Sequence, residues 1–122
     1  MVEVICDTNF LIHLSTRRIK NIDNLDQEIG SISFVVPGVV LSELFKLQSI
    51  SSKKQDIIAT LEFIKNMKIV PIFGSFADDE LINYVKTHNS FIATMDKILK
   101  KKIKQAGGSV ISFSNNKIVL EP

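Results

Sequence analysis

Five carboxylates fall just past short apolar runs. Asp7 follows Val4-Ile5-Cys6, Glu43 lies beyond Phe34-Val35-Val36, Asp78 and Asp79 lie beyond residues 70–73, and Asp96 follows Ile92-Ala93-Thr94-Met95. Gathered together, carboxylates repel one another and raise each other's pKa. A divalent Mg2+ or Mn2+ removes that cost and prefers oxygen ligands. Held beside open water positions, one or two such ions activate water against a phosphodiester and stabilise the charge that develops on it. Taken singly, each aspartate equally suits a helix N-cap, accepting free N–H groups at the positive end of the helix dipole. Glu43 sits too far into its segment for capping and lies between Leu41 and Leu44. The chemistry therefore depends on whether the fold brings these acids to one place.

The elements that must position them alternate. Val2–Cys6 is a continuous apolar run, as expected of a strand buried on both faces. Residues 10–14 follow as a short helix, and residues 17–28 are polar and read as loop or weak helix. Residues 32–36 make a second strand, and Pro37 suits the opening of a helix over 39–48. After a break at 49–52, residues 53–66 place Ile57, Ile58, Leu61 and Ile64 in an amphipathic helical pattern. Residues 68–73 make a third strand, Gly74-Ser75 a turn, 77–88 a helix and 90–94 a fourth strand. Residues 96–105 form a helix closed by Gly107-Gly108, residues 109–113 a fifth strand, and Lys117–Leu120 suits a last one. Strands separated by helices predict one α/β domain over residues 1–122, with a mostly parallel sheet of about five strands and right-handed crossovers. In such a sheet the strand ends that carry the acids lie along one edge, where ligands bind.

Composition narrows the alternatives. With 45% hydrophobic residues, the 122-residue chain buries a core without disulfides. The single cysteine, Cys6, reads as a small buried hydrophobe, and no histidine is placed beside it for thiol chemistry. A reducing, cytoplasmic compartment is the expectation. The apolar start lacks the basic region of a signal peptide, and no run approaches the ~20 apolar residues of a membrane span. His13 and His88 are isolated, which argues against zinc, and Gly107-Gly108 lacks the surroundings of a phosphate-binding loop. The net charge is only +2, yet Lys97, Lys100, Lys101, Lys102 and Lys104 crowd together after Asp96. On a helix, Lys97, Lys100, Lys101 and Lys104 share one side. That stripe suits RNA phosphates, or equally a solvated face near a helix C-terminus. The phenylalanines lie mostly inside apolar patterns and read as core rather than as base-stacking platforms; Tyr84 receives no role.

At the acidic positions the sequence resembles the PIN-domain ribonuclease family. Val4-Ile5-Cys6-Asp7-Thr8-Asn9 is similar to the family's hydrophobic strand followed by Asp-Thr-Asn or Asp-Thr-Ser. Val36-Pro37-Gly38-Val39-Val40-Leu41-Ser42-Glu43-Leu44 resembles its second acidic element. Ala77-Asp78-Asp79-Glu80-Leu81-Ile82 looks like the third, and Ile92-Ala93-Thr94-Met95-Asp96 with its basic helix like the fourth. The order and spacing cover the whole chain. Two positions depart from the pattern. Ile98 stands where many members carry a further acidic or polar residue, and Met95 where a small residue is common.

The resemblance implies a three-layer Rossmann-like fold and cleavage of single-stranded or structured RNA with Mg2+ or Mn2+. By it, Asp7, Glu43 and Asp96 match the acidic positions, with Asp78 the better third match and Asp79 the close alternative. Thr8, Asn9 and Thr94 match polar positions that support the acids. The resemblance also implies a homodimer in many members, and either an antitoxin, as for VapC-type toxins, or a ribosome-assembly partner, as for rRNA-processing nucleases. Two other classes fit less of the sequence. One is a non-catalytic module of the same fold that binds RNA or protein. The other is phosphoryl transfer through an aspartyl-phosphate, which needs a second acid close after Asp7 or a late strand-end lysine; Thr8-Asn9 and Thr94-Met95 stand there instead.

Overall fold

The computed structural model describes residues 2–17, 19, 32–50 and 52–122. Its elements are β1 (Val2–Cys6), α1 (Thr8–Thr16), β2 (Ile32–Pro37), α2 (Gly38–Ile50), α3 (Lys54–Phe63), β3 (Ile69–Val70), α4 (Ala77–Thr87), β4 (Phe91–Ala93), α5 (Lys97–Gln105), β5 (Ser109–Ser114) and β6 (Lys117–Leu120). The strands form one sheet in the order β3-β2-β1-β4-β5-β6. Every pairing is parallel except β5 with β6. Helices α1, α2 and α3 pack on one another, and α4 packs on α5, the two groups expected to flank a doubly wound sheet.

The order reverses at β1. The chain steps from β1 to β2 on one side, then returns to β4 on the other. Loops leaving β1 and β4 therefore diverge and open a crevice at the carboxyl ends of these strands. Asp7 and Thr94 are the residues that follow them. The Asp7 N–H extends the ladder to the Ala93 carbonyl at 3.0 Å, and the Thr94 N–H reaches the Ile111 carbonyl at 3.0 Å. Val4, Ile5 and Cys6 are all buried, as the continuous apolar run predicts for a central strand with both faces covered. The Cys6 thiol is held above its ordinary pKa by burial and by the Asp7 charge, which leaves it a core residue. Among the described residues no helix is long and apolar enough to cross a membrane.

Several boundaries differ from the sequence expectation. The third strand ends after Val70 because Pro71 has no N–H to extend a ladder. Pro37 closes β2 rather than opening a helix, and α2 starts at Gly38 and reaches Ile50, two residues into the expected break. Asp96 is the N-cap of α5 rather than its first residue. Lys117–Leu120 is a sixth strand, paired with β5 through Asn115 and Asn116 at φ 53° and 61°, the left-handed pair that a tight hairpin requires. Most of the polar segment 17–28 lies outside the described residues. Helix α5 ends as expected at Gly107 (φ 96°): the Gly107 N–H reaches the Lys104 carbonyl and the Gly108 N–H the Ile103 carbonyl, the double closure of a Schellman end.

Glu121, just past β6, ties this hairpin to α5. Ser112 Oγ donates to Glu121 Oε2 at 2.6 Å, Lys100 Nζ lies 2.8 Å from Oε2, and Lys104 Nζ donates to Oε1 at 2.9 Å. Burial would raise this carboxyl, but the hydrogen bonds from Lys100, Ser112 and Lys104 outweigh it and bring the pKa down to about 2. A carboxyl depressed in the folded state stabilises fully above its ordinary pKa of 4.5, and the contribution is lost as pH falls toward 2. Glu121→Gln is therefore expected to lower stability at pH 7 by about 1–2 kcal/mol after allowance for partial exposure. Denaturant unfolding should show the difference fading below pH 4.5; a difference as large at pH 2.5 as at pH 7 would contradict it.

Candidate active site

Asp7 does two things with its two oxygens. As N-cap of α1 it accepts the Phe10 N–H on Oδ1 at 2.9 Å, and on Oδ2 it accepts the Thr94 hydroxyl at 2.5 Å. Thr94 Oγ1 in turn accepts the Asp96 N–H at 3.1 Å. The residues after β1 and β4 are thus locked together across the crevice. Asp7 is only 6% exposed. Burial raises its pKa, the hydrogen bonds from Thr94 and Phe10 pull it back, and the charges of Asp78 and Asp96 raise it again, leaving it at about 6.

Glu43 serves helices other than its own. From the second turn of α2, its Oε1 accepts the Ala77 N–H at 3.2 Å, and its Oε2 accepts the Thr8 hydroxyl at 2.6 Å. Phe76, the N-cap of α4, has no capping side chain, so Glu43 supplies from a distance the acceptor that the first turn of α4 lacks. The same carboxylate braces the first residue of α1.

Asp96 spends one oxygen on its own helix, Oδ1 accepting the Ile98 and Leu99 N–H groups at 2.8 and 3.1 Å. The positive ends of α1, α4 and α5 therefore converge on the acids, which offsets part of their repulsion. The aspartates at 7 and 96 are caps and members of a cluster at once, because capping uses only one oxygen of each.

Of the two adjacent aspartates, Asp78 is the one whose carboxyl is shifted by the other acids. Its carboxyl is raised by burial and then by the charges of Asp96, Glu43 and Asp79, with Lys102 pulling the other way. Asp7, Glu43, Asp78 and Asp96 are thus linked by mutual repulsion, and Asp79, exposed on the first turn of α4, adds to it through Asp78. Asp78 and Asp96 Oδ2 carry no hydrogen bond among the described residues, and all the donors are oxygen, the chemistry a hard divalent cation takes. Among the described residues, no three His, Cys, Asp or Glu side chains stand close enough to hold one ion directly. An ion at these acids would have to be held in part through water, as Mg2+ usually is.

The lysines divide. Leu99 and Ile103 anchor α5 in the core. Lys100 and Lys104 turn to Glu121, while Lys97 and Lys101 are exposed and outside any ion pair among the described residues. The expected four-lysine stripe is thus half engaged elsewhere, through Glu121, a partner on another part of the chain that helix periodicity cannot reveal. Lys102, which the periodicity leaves off the stripe, faces the Asp78 charge.

Around the acids the surface is mixed. A cleft of about 450 Å3 runs from Asp96 and Met95 along α1, past Asn9 and His13 to Arg17 and Lys53. The His13 ring lies against Phe113, tilted by 36° with ring centres 4.3 Å apart, and burial lowers its pKa, helped by Arg17. Ile98, where an acid is common in the resembled family, is 69% exposed. The expectation that phenylalanines are core holds for Phe10, stacked on Phe113 at 4.4 Å, but Phe45, Phe63, Phe73 and Phe76 are exposed. The last two flank Gly74-Ser75 just before α4.

Residues 4–116 match the PIN like domain family. The chain is 33% identical over 115 residues to Ribonuclease VapC4 of Methanocaldococcus jannaschii, covering 86% of this chain and 85% of that one. It is 29% identical over 105 residues to Ribonuclease VapC9 of Archaeoglobus fulgidus, covering 84% and 76%. A solved structure of the PIN domain endonuclease Utp24 superposes with a TM-score of 0.79 at 28% identity, over 98% of this chain and 90% of that one. The VapBC2 complex of Rickettsia felis, at 13% identity and a TM-score of 0.57 over 93% of this chain and 100% of that one, shares the fold. With its reversed parallel sheet and the acids at the switch point, the chain belongs to the PIN-like domain family.

Proposed function

We propose that the protein is an endoribonuclease that cleaves RNA phosphodiester bonds with Mg2+ or Mn2+ held by Asp7, Glu43, Asp78 and Asp96. The observation that carries this reading is a buried Asp7 whose pKa is raised to about 6 beside two further acids. Such a cluster costs stability in the absence of a cation and repays it when one is bound. The names of the two ribonuclease relatives support RNA as substrate, and the Utp24 endonuclease supports internal cleavage.

A bound divalent ion supplies positive charge at the scissile phosphate and makes water more acidic. The protein's own groups set the stage for it. The Thr94 hydroxyl and the Phe10 N–H hold Asp7 in one orientation, and the Asp96 N–H holds Thr94 in turn. Thr8 and the Ala77 N–H fix Glu43. Asn9 borders Asp96 at the mouth of the cleft. Lys97 and Lys101 offer charge to phosphates beside the cut, while Lys100 and Lys104 contribute through the fold of α5. The two VapC relatives favour a protein partner of the antitoxin kind; RNA processing is the other reading, and both use the same cleavage chemistry.

A panel of single-stranded and structured RNAs incubated with Mn2+ tests the proposal. Cleavage is expected with wild type and lost in excess EDTA and in Asp96→Asn. Undiminished cleavage in EDTA, or no cleavage of any RNA by wild type, overturns it.

A further inference from the structure

The loop between β3 and α4 presents two aromatic rings to solvent beside the acids. Phe73 is 67% and Phe76 68% exposed, although Ile72 and Ala77 on either side are each only 5% exposed. The loop is therefore anchored at both ends and projects its rings outward. It is also packed against its own surroundings. The Phe73 ring covers Gly38, where an added Cβ would lie 2.2 Å from the ring, and the Glu80 carboxylate folds over Gly74, where a Cβ would meet it at 2.3 Å. Gly74 has φ +154°, a conformation that side chains rarely adopt.

Both rings are tied to the acid cluster through the backbone. Phe76 precedes Ala77, whose N–H is held by Glu43, and Asp78 is the next residue. Phe73 rests on the first residue of α2, the helix that carries Glu43. Large apolar rings in such a place need an occupant that is neutral and flat. The neighbouring acids repel a phosphate backbone, which the exposed Lys97 and Lys101 suit better. A nucleobase is uncharged and stacks through its π face whatever its identity. A protein helix would want an apolar ridge at helical spacing, whereas these rings are separated by Gly74-Ser75 and followed directly by Asp78, Asp79 and Glu80.

Resting on the ribonuclease reading above, we propose that Phe73 and Phe76 form a stacking platform for an unpaired base next to the scissile phosphate. The platform selects single-stranded over duplex RNA, because only an unpaired base presents a free face.

The test is steady-state cleavage with Mn2+ of one single-stranded oligoribonucleotide, its duplex, and the same strand abasic next to the cut. Wild type is compared with Phe73→Ala/Phe76→Ala and Phe73→Leu/Phe76→Leu, the leucines keeping apolar bulk without a flat ring. Both double variants are expected to raise KM for the single strand by roughly tenfold or more, with kcat changed little. The abasic strand should impose a similar loss on wild type and little further loss on the variants. Unchanged KM in the leucine variant, or equal losses with and without the base, overturns the platform. A shift in sedimentation of either variant away from the wild-type assembly also overturns it, marking a protein interface instead. If wild type cuts no RNA, the ribonuclease reading fails; if it cuts and the variants match it, the platform alone fails.

Discussion

Asp7→Asn is expected to give a protein that is more stable at pH 7 without metal, and inactive. The Asp7 carboxyl is raised to about 6 from an ordinary 3.8, by burial and by the charges of Asp78 and Asp96. A folded state that holds its proton more tightly than the unfolded chain loses stability as pH rises from about 4 to 6. Above that range the ionised carboxylate costs at most about 3 kcal/mol. Asparagine removes the charge and still caps α1, since its oxygen accepts the Phe10 N–H as well as aspartate does. Its amide can donate to Thr94 Oγ1 in place of accepting from it. In EDTA at pH 7 the melting temperature should rise by several degrees, and the wild-type advantage of acidic pH should disappear. Cleavage with Mn2+ should fall on the order of a hundredfold or more, as when a preorganised charge is removed from a site. A variant that melts below wild type at pH 7, or keeps its activity, contradicts this account of Asp7.

The second large effect separates two adjacent residues of the same type. Asp78→Asn is expected to reduce cleavage on the order of a hundredfold, and Asp79→Asn to leave it within about threefold, since it leaves the other four acids in place. The reason is where the charges act. Asp78 responds to Asp96, Glu43 and Asp79, and itself raises Asp7. Asp79 acts on the cluster through Asp78. Equal losses in the two variants, measured as kcat/KM on one RNA, would move the third acidic position or divide it between them.

Much of this was readable from residue order. The central strand announced itself because Val4-Ile5-Cys6 has no polar face to spare, and Asp7 because it follows directly. Cap and ligand were competing readings of Asp7 and Asp96; the structure shows each as a cap through one of its two oxygens, which leaves the ligand reading a proposal. Glu43 was recognisable as an acid too deep in its helix to cap it, but not as the acceptor for α4. That role depends on α2 and α4 meeting end to side, which no local pattern encodes. The engagement of Lys100 and Lys104 was hidden for a similar reason, since their partner, Glu121, follows another element. Phe73 was misplaced because its apolar run looks like buried strand, whereas Pro71 ends the ladder and leaves the ring outside.

The most direct test of the central claim is Mn2+ binding followed by electron paramagnetic resonance of the free ion, at pH 7, for wild type and Asp7→Asn. Wild type is expected to deplete free Mn2+ competitively with Mg2+, and Asp7→Asn, although folded, to deplete it far less. Equal depletion by the two proteins, or none by wild type, would contradict a cation site built on these acids.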